Sequence, residues 1–378
     1  MTTNNEYATP PIDYDLHGIV GIRLLNATSV DIATVTRQLG PIRTTLTRSP
    51  DIVIQFVDQL ALTSRIRYLG VDDAGFTDDA FLVLRGKHKS RVKVQIPFAQ
   101  IGGQCQIVCE SGASAVPLLL AIINLTALSK GLLPMHASAF SYQNIGVLTT
   151  GWAKGGKTET LLAFMAKGAK YIGDEWVYIS QDGQRLYGIP EPIRIWDWHL
   201  QTMPQYWPLV KRQDRVRLRT LRVLTQSVDR MADGGNSSVA KLMRRVTPLL
   251  KHQLSVQLPP RKLFGQSEEP VVGSLDKIFF VASHESPEIK VEPMDPNEIG
   301  RRMVFSLQEE ALEFMSYYFK FRFAFPEMCN ELIEHVEERQ RTLLARALAG
   351  KDAYGVYHPY PVFIPHLFDA IRPFLSES

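Results

Sequence analysis

The chain has 378 residues, 45% of them apolar and 21% charged, with 42 Lys and Arg against 39 Asp and Glu. This is the make-up of a soluble globular protein of two or three domains, whose cores need no metal or disulfide staples. A net charge of +3 argues against a nucleic-acid binder. Three cysteines at no metal-ligand spacing argue against a zinc site.

Met1 to Glu6 lacks the basic start and apolar centre of a signal peptide, so a cytoplasmic protein is expected. Residues 1–16 are polar and contain prolines, and are expected to form a flexible arm. From 17 to 112, short β-branched and aromatic runs (GIVGIRLL, DIVIQFV, AFLVLR, VKVQIPF) are separated by Gly, Pro and Asp. One helix, DIATVTRQLG, is expected among them, with Asp31 as its N-cap and Gly40 just past its end. This region reads as an α+β N-terminal domain of unknown role. In it, Cys105 and Cys109 lie on one face of a strand and are expected to be buried thiols.

Residues 113–325 read as a second, α/β domain, with a central sheet and flanking helices. The run Val116–Leu128 is 13 residues long, too short to cross a bilayer and suited to a buried helix. Two strand candidates follow, LPMHASAF and NIGVLTT. Then come the loop GWAKGGKTE, a helix KTETLLAFMAK closed by Gly168, and the strand-like runs KYIGDEWVYIS and RLYGIPEPIRIW. Residues 211–262 are set apart by 13 Lys and Arg against three acids, a net +10 that leaves −7 for the rest. They read as a basic insertion containing an amphipathic helix and a mobile tip, ADGGNSS, with QLPPRKLFG as an extended exit. SLDKIFFVAS reads as a buried strand. The spacing of Ser306 and Glu309 predicts a capping box and a helix start. Residues 326–378 are expected to form a helix from about Met328 to Ala349 and an aromatic, Pro-rich tail packed on the surface.

Gly151-x-x-x-x-Gly156-Lys157-Thr158 is a phosphate-binding loop pattern, set between an apolar strand and a helix. Glycines let the backbone turn its N–H groups onto a polyphosphate, and the helix N-terminus adds its dipole. The candidate nucleotide-binding residues are therefore Gly151, Trp152, Ala153, Lys154, Gly155, Gly156, Lys157, Thr158 and Glu159. Lys157 would neutralise phosphate, and the Thr158 hydroxyl would ligate Mg²⁺. Asp174 and Glu175 end a short strand directly after the P-loop helix, where a carboxylate can reach the metal or take a proton. His136 lies on the strand before the P-loop strand, and Arg194 is a candidate phosphate-facing arginine.

The segment MHASAF…NIGVLTTGWAKGGKTETLLAFMAKGAKYIGDEWVYIS resembles the catalytic domain of HPr kinase/phosphorylase and its relatives. That family has a Met-His pair on a strand, a P-loop ending Gly-Lys-Ser/Thr-Glu, and an acidic pair after the P-loop helix. The resemblance covers roughly residues 133–200 and implies a divergent P-loop kinase using ATP and Mg²⁺. It implies Asp174 as the base on the acceptor hydroxyl, Glu175 assisting the metal or the proton relay, and His136 tuning the carboxylate. The metal-site candidates are then Thr158, Glu175 and Asp174. Here Glu175 stands where the family usually has a second aspartate, and the family's downstream signature loop is absent, which leaves the acceptor open.

The acceptor could be a protein, a peptide or a small molecule bearing a hydroxyl. Two other functions remain open: a nucleotide-controlled binding protein with little phosphotransfer, and an ATP hydrolase. For the basic segment 211–262 the choices are a solvated face, a lid bringing arginine to the phosphates, or a dock for an acidic partner. Nucleic acid is disfavoured by the lack of aromatic interleaving. Homo-oligomers are open on the sequence.

Overall fold

A computed structural model describes residues 10–71, 73–85, 91–232, 253–265 and 271–375. It is a mixed α/β protein built on two large mixed sheets with helices packed against them. The first sheet starts earlier than the sequence suggests. β1 (Ile12–Leu16) pairs antiparallel with β2 (Val20–Leu25), so residues 12–16 form an edge strand and not a loose arm. Tyr14 and Leu16 are buried and explain why. After β2 comes α1 (Ser29–Leu39). Its N-cap is Thr28, and Asp31 sits three residues on, closing a reciprocal capping box in place of the expected cap role.

β3 (Ile52–Val57), β4 (Arg67–Leu69), β5 (Ala74–Phe76), β6 (Phe81–Arg85), β7 (Arg91–Gln95) and β8 (Cys105–Glu110) complete that sheet. The order is β1-β2-β3-β8-β7-β6-β5-β4, and β2, β3 and β8 run parallel. Cys105 and Cys109 are buried on one face of β8, and burial pushes both thiols up to about 12. They are inert at neutral pH.

The second sheet carries the P-loop. After α2 (Leu119–Ser129), a buried helix as expected, β9 (Leu133–Tyr142) and β10 (Ile145–Thr150) form an antiparallel pair. Every residue of β10 is buried, as in a central strand covered on both faces. α3 (Lys157–Met165) leads to β11 (Lys170–Gly173), β12 (Trp176–Ile179), β13 (Arg185–Gly188) and β14 (Ile193–Trp196). Next come α4 (Asp197–Thr202) and α5 (Arg212–Ala232). β15 (Ser255–Leu258) and the short α6 (Pro260–Phe264) occupy the stretch expected to be an extended exit. The expected mobile tip, apart from Ala232, lies outside the described residues. β14 and β15 form a separate two-stranded ribbon.

The chain then adds β16 (Val272–Ser274), β17 (Lys277–His284), β18 (Lys290–Pro293), α7 (Pro296–Ala324), α8 (Glu331–Glu334), α9 (Val336–Leu348), β19 (Asp352–Pro359) and α10 (Ile364–Ile371). The sheet order is β16-β13-β12-β9-β10-β17-β19-β18, with β11 also on β9. Three expectations are corrected here. α7 starts at Pro296 behind an Asp295 cap, and Ser306 is buried in its middle; Ser-x-x-Glu also recurs inside helices, and Asp before Pro is the stronger start signal. The helix expected over 328–349 is interrupted at His335. The aromatic tail is no surface appendage: β19 inserts between β17 and β18, parallel to β17. β19 therefore belongs to the P-loop sheet, while Leu332 and Ile333 sit in the core of the first, so residues 326–378 give no separate boundary.

α7 ties the two sheets together. Its first half, through Ile299, Met303, Val304 and Leu307, packs on the P-loop sheet. Its second half, through Phe314, Tyr318 and Phe321, joins Phe98 and Phe81 in the core of the first. At 29 residues it spans about 44 Å. Among the described residues no helix is long and apolar enough to cross a membrane.

Candidate active site

β10 ends at Thr150, and the loop 151–156 turns onto the N-terminus of α3. Two glycines are demanded by contact as well as by backbone angle. Gly151 has φ 148°, and a Cβ there would stand 2.3 Å from the carbonyl oxygen of Val281. Gly156 has φ 113°, and its Cβ would stand 2.1 Å from Nε2 of His358. The loop thus lies directly on β17 and β19, with no room for side chains. Lys154 takes φ 63°, a left-handed angle unusual for a residue with a side chain. It is exposed at the cleft, whereas Trp152 is half-exposed outside it.

Lys157 is buried, and its Nζ donates to the carbonyl oxygens of Gly151 (3.2 Å) and Trp152 (2.9 Å). Burial lowers its pKa, against the pull of Glu175 and Asp174. The Thr158 hydroxyl lies 3.2 and 3.1 Å from the two carboxylate oxygens of Asp174. Asp174 is 2% exposed. Burial first, and the neighbouring charge of Glu175 second, push its pKa up to about 8.

The acidic pair occupies a strained turn. The Trp176 N–H donates back to the Asp174 carbonyl at 2.9 Å, with Glu175 between them at φ 67°. A three-residue turn with a positive central φ is rare, and such strain gathers at functional sites. The effect is to point two consecutive carboxylates in different directions. Asp174 turns inward to Thr158. Glu175 projects into the cleft with a half-exposed side chain and accepts a hydrogen bond from His136 Nε2 at 3.1 Å. That bond is the main reason its pKa is lowered.

His136 pairs with Trp176 across β9 and β12, which sets its ring beside the turn. Its Nδ1 lies 2.7 Å from Glu310 on α7, in ion-pair range but not aligned for a hydrogen bond. Burial pulls its pKa down, but Glu175 and Glu310 outweigh that and raise it. The carboxylate that His136 is bonded to is therefore Glu175.

Glu159 is engaged by a buried His199, whose Nε2 is 2.9 Å away. The His199 Nδ1 accepts the Trp196 N–H at 3.3 Å, so Nε2 carries the proton and donates to Glu159. Glu159 thus anchors α3 to α4. Arg222 of α5 makes a bidentate pair with Asp197, at 2.7 and 2.6 Å. Arg194 lies 5.8 Å over the Trp196 ring and makes no ion pair among the described residues. His136, Lys154, Lys157, Thr158, Asp174, Glu175, Arg194, Asp197, Arg222 and Glu310 all line one cleft of about 690 Å³, a size suited to a nucleotide and part of a second ligand.

Among the described residues no group of three or more His, Cys, Asp and Glu side chains is placed to hold a metal ion by itself. Thr158 and Asp174 do supply two adjacent oxygens at the mouth of the loop. That hard, incomplete donor set fits Mg²⁺, which keeps several waters and takes phosphate oxygens as further ligands.

Sequence reasoning missed Glu310, Asp197, His199 and His358. The first three carry no local motif, because each reaches the site only through tertiary packing. His358 had a signal in the alternation of β19, which proline and aromatic content masked. It is fully buried, with Nε2 2.9 Å from the Gly155 carbonyl. Comparison of the chain with protein-family models and with curated proteins returned no match.

Proposed function

We propose that this protein is an Mg²⁺- and ATP-dependent kinase that transfers the γ-phosphoryl group to a hydroxyl acceptor, with the P-loop domain of an HPr-kinase-like enzyme. The observation that carries this reading is the convergence of Lys157, Thr158 and Asp174 at the end of a glycine loop, with the Thr158 hydroxyl 3.1–3.2 Å from the Asp174 carboxylate. Loop N–H groups and Lys157 would bind the phosphates. Thr158 and Asp174 would hold Mg²⁺, which neutralises charge on the transferring group.

The two acidic residues divide the work. Asp174, buried against Thr158, is the metal-side carboxylate. Glu175 is ionised, held by His136 and open to the cleft, so it receives the proton from the acceptor hydroxyl. This reverses the assignment expected from the sequence. His136 orients Glu175, and Glu310 in turn steadies His136. Arg194, which makes no ion pair among the described residues and whose charge is felt by Glu175, would meet negative charge on the transferring phosphoryl group.

Titration with ATP in the presence and absence of Mg²⁺, followed by calorimetry, tests the first half. Thr158→Val should lose the Mg²⁺ dependence, and Lys157→Ala should weaken binding at least about tenfold. Nucleotide binding that ignores both substitutions would remove the basis of the proposal.

A further inference from the structure

The basic segment is not consumed by the phosphoryl-transfer site. Its described part is α5, a helix of 21 residues with six arginines against two aspartates. One side of α5 forms a wall of the cleft through Arg222, Thr225 and Gln226. Leu218 and Thr225 are buried beneath it, and Arg217 is spent on the carbonyls of Gln253 and Ser255.

The solvent-facing side that adjoins this wall is different. Arg212, Val216, Arg219 and Val223 follow one another at i, i+4, i+7 and i+11, the spacing of a single helix face. All four are exposed, Val216 at 58% and Val223 at 62%. Two exposed valines thus alternate with two arginines that make no ion pair among the described residues. The stripe is about 16 Å long, the span of roughly five extended residues. A small acceptor held in the cleft would not touch it.

We propose that this face of α5 docks the acceptor, and that the acceptor is a polypeptide whose segment next to the phosphorylated hydroxyl combines acidic and aliphatic side chains. The acids would pair with Arg212 and Arg219, and the aliphatic groups would cover Val216 and Val223. The helix then leads the segment to the cleft, where Arg222 is already part of the wall. This rests on the kinase reading, whose acceptor class it names. An anionic membrane would also attract the arginines, but isolated valines between charges give it little apolar surface to bury.

The test uses the full chain and two degenerate pools of fluorescein-labelled 16-residue peptides, each with a central serine and alternating Leu, Ile or Val. One pool carries Asp and Glu at the remaining positions, the other Lys and Arg. Binding is read by anisotropy without nucleotide, and transfer by label from γ-labelled ATP. The acidic pool should bind, and should weaken about tenfold in Arg212→Glu/Arg219→Glu and again on raising salt. Val216→Ser/Val223→Ser should also weaken it, while ATP binding stays unchanged in both variants.

Equal binding of the two pools, no binding of the acidic pool, or indifference to both double substitutions would overturn the docking proposal. So would variant-sensitive binding to vesicles of phosphatidylcholine and phosphatidylserine in place of the acidic pool. Binding of the acidic pool without label transfer would keep the dock and remove the kinase. Transfer that is equal for both pools and blind to the arginines would keep the kinase and remove the dock.

Discussion

Replacing Asp174 by Asn removes one negative charge from a buried position while keeping the side chain's shape and an acceptor oxygen for Thr158. In the wild-type protein without nucleotide, that carboxyl has its pKa pushed from 3.8 up to about 8. The sign follows from linkage. A carboxyl with a raised folded pKa favours the folded state fully below pH 3.8, and that contribution is lost as pH rises towards 8. Each pKa unit is worth about 1.4 kcal/mol, so an isolated group would lose roughly 6 kcal/mol over the full interval. The lowering by Thr158 and Lys157 is already contained in that value; what reduces the gain is that Glu175 shares the charge cost and that Asn must still bury a polar amide. A gain of about 2 kcal/mol for Asp174→Asn at pH 8 is expected, shrinking towards zero near pH 4. The assay is urea unfolding without nucleotide from pH 5 to 8, alongside thermal melts with and without Mg²⁺ and ATP. The variant should be the more stable protein alone, yet should lose the Mg²⁺-dependent stabilisation that ligand binding confers on the wild type. A variant less stable than wild type at pH 8, or one still stabilised by Mg²⁺ and ATP together, would refute the placement of this carboxylate.

Four further outcomes follow from the same geometry. Glu175→Gln should leave Mg²⁺-dependent ATP binding intact but lower the transfer rate by about 10²–10⁴; lost ATP binding would instead put Glu175 at the metal. Gly156→Ala, whose Cβ would stand 2.1 Å from the His358 ring, should destabilise the fold by about 1–3 kcal/mol and abolish nucleotide binding, as urea unfolding and calorimetry would show. Lys154→Gly relieves a left-handed backbone angle and should raise stability by up to about 1 kcal/mol. His136→Gln should flatten the loss of stability as pH rises above 6.5, because His136 has a pKa raised from 6.5 and its charge-paired contribution falls away as pH climbs through the folded value.

Much of the site was legible because its core is local in sequence. The loop from Gly151 to Thr158 and the acidic pair 16 residues later are joined by one helix and one strand, so spacing alone brought Thr158 and Asp174 near each other. The fold's strand content was also readable in β3, β10 and β17, where apolar runs are bounded by turn residues. What failed needed partners from far along the chain. Glu310 sits on an ordinary helix face, and only the packing of α7 on the P-loop sheet brings it to His136. β19 looked like a surface tail because its tyrosines and prolines hid an alternation that matters only beside β17. The roles of Asp174 and Glu175 could not be separated by sequence, since a γ-turn, not spacing, sends their side chains apart.

The central claim is phosphoryl transfer to a hydroxyl, and the fate of the γ-phosphate tests it most directly. The protein is incubated with γ-labelled ATP, Mg²⁺ and a cell extract, and label is apportioned between inorganic phosphate and acid-stable phosphoester. The account predicts a labelled ester that forms with wild type and disappears with Lys157→Ala and with Glu175→Gln. Label found only as inorganic phosphate, or an ester that persists in both variants, would contradict it.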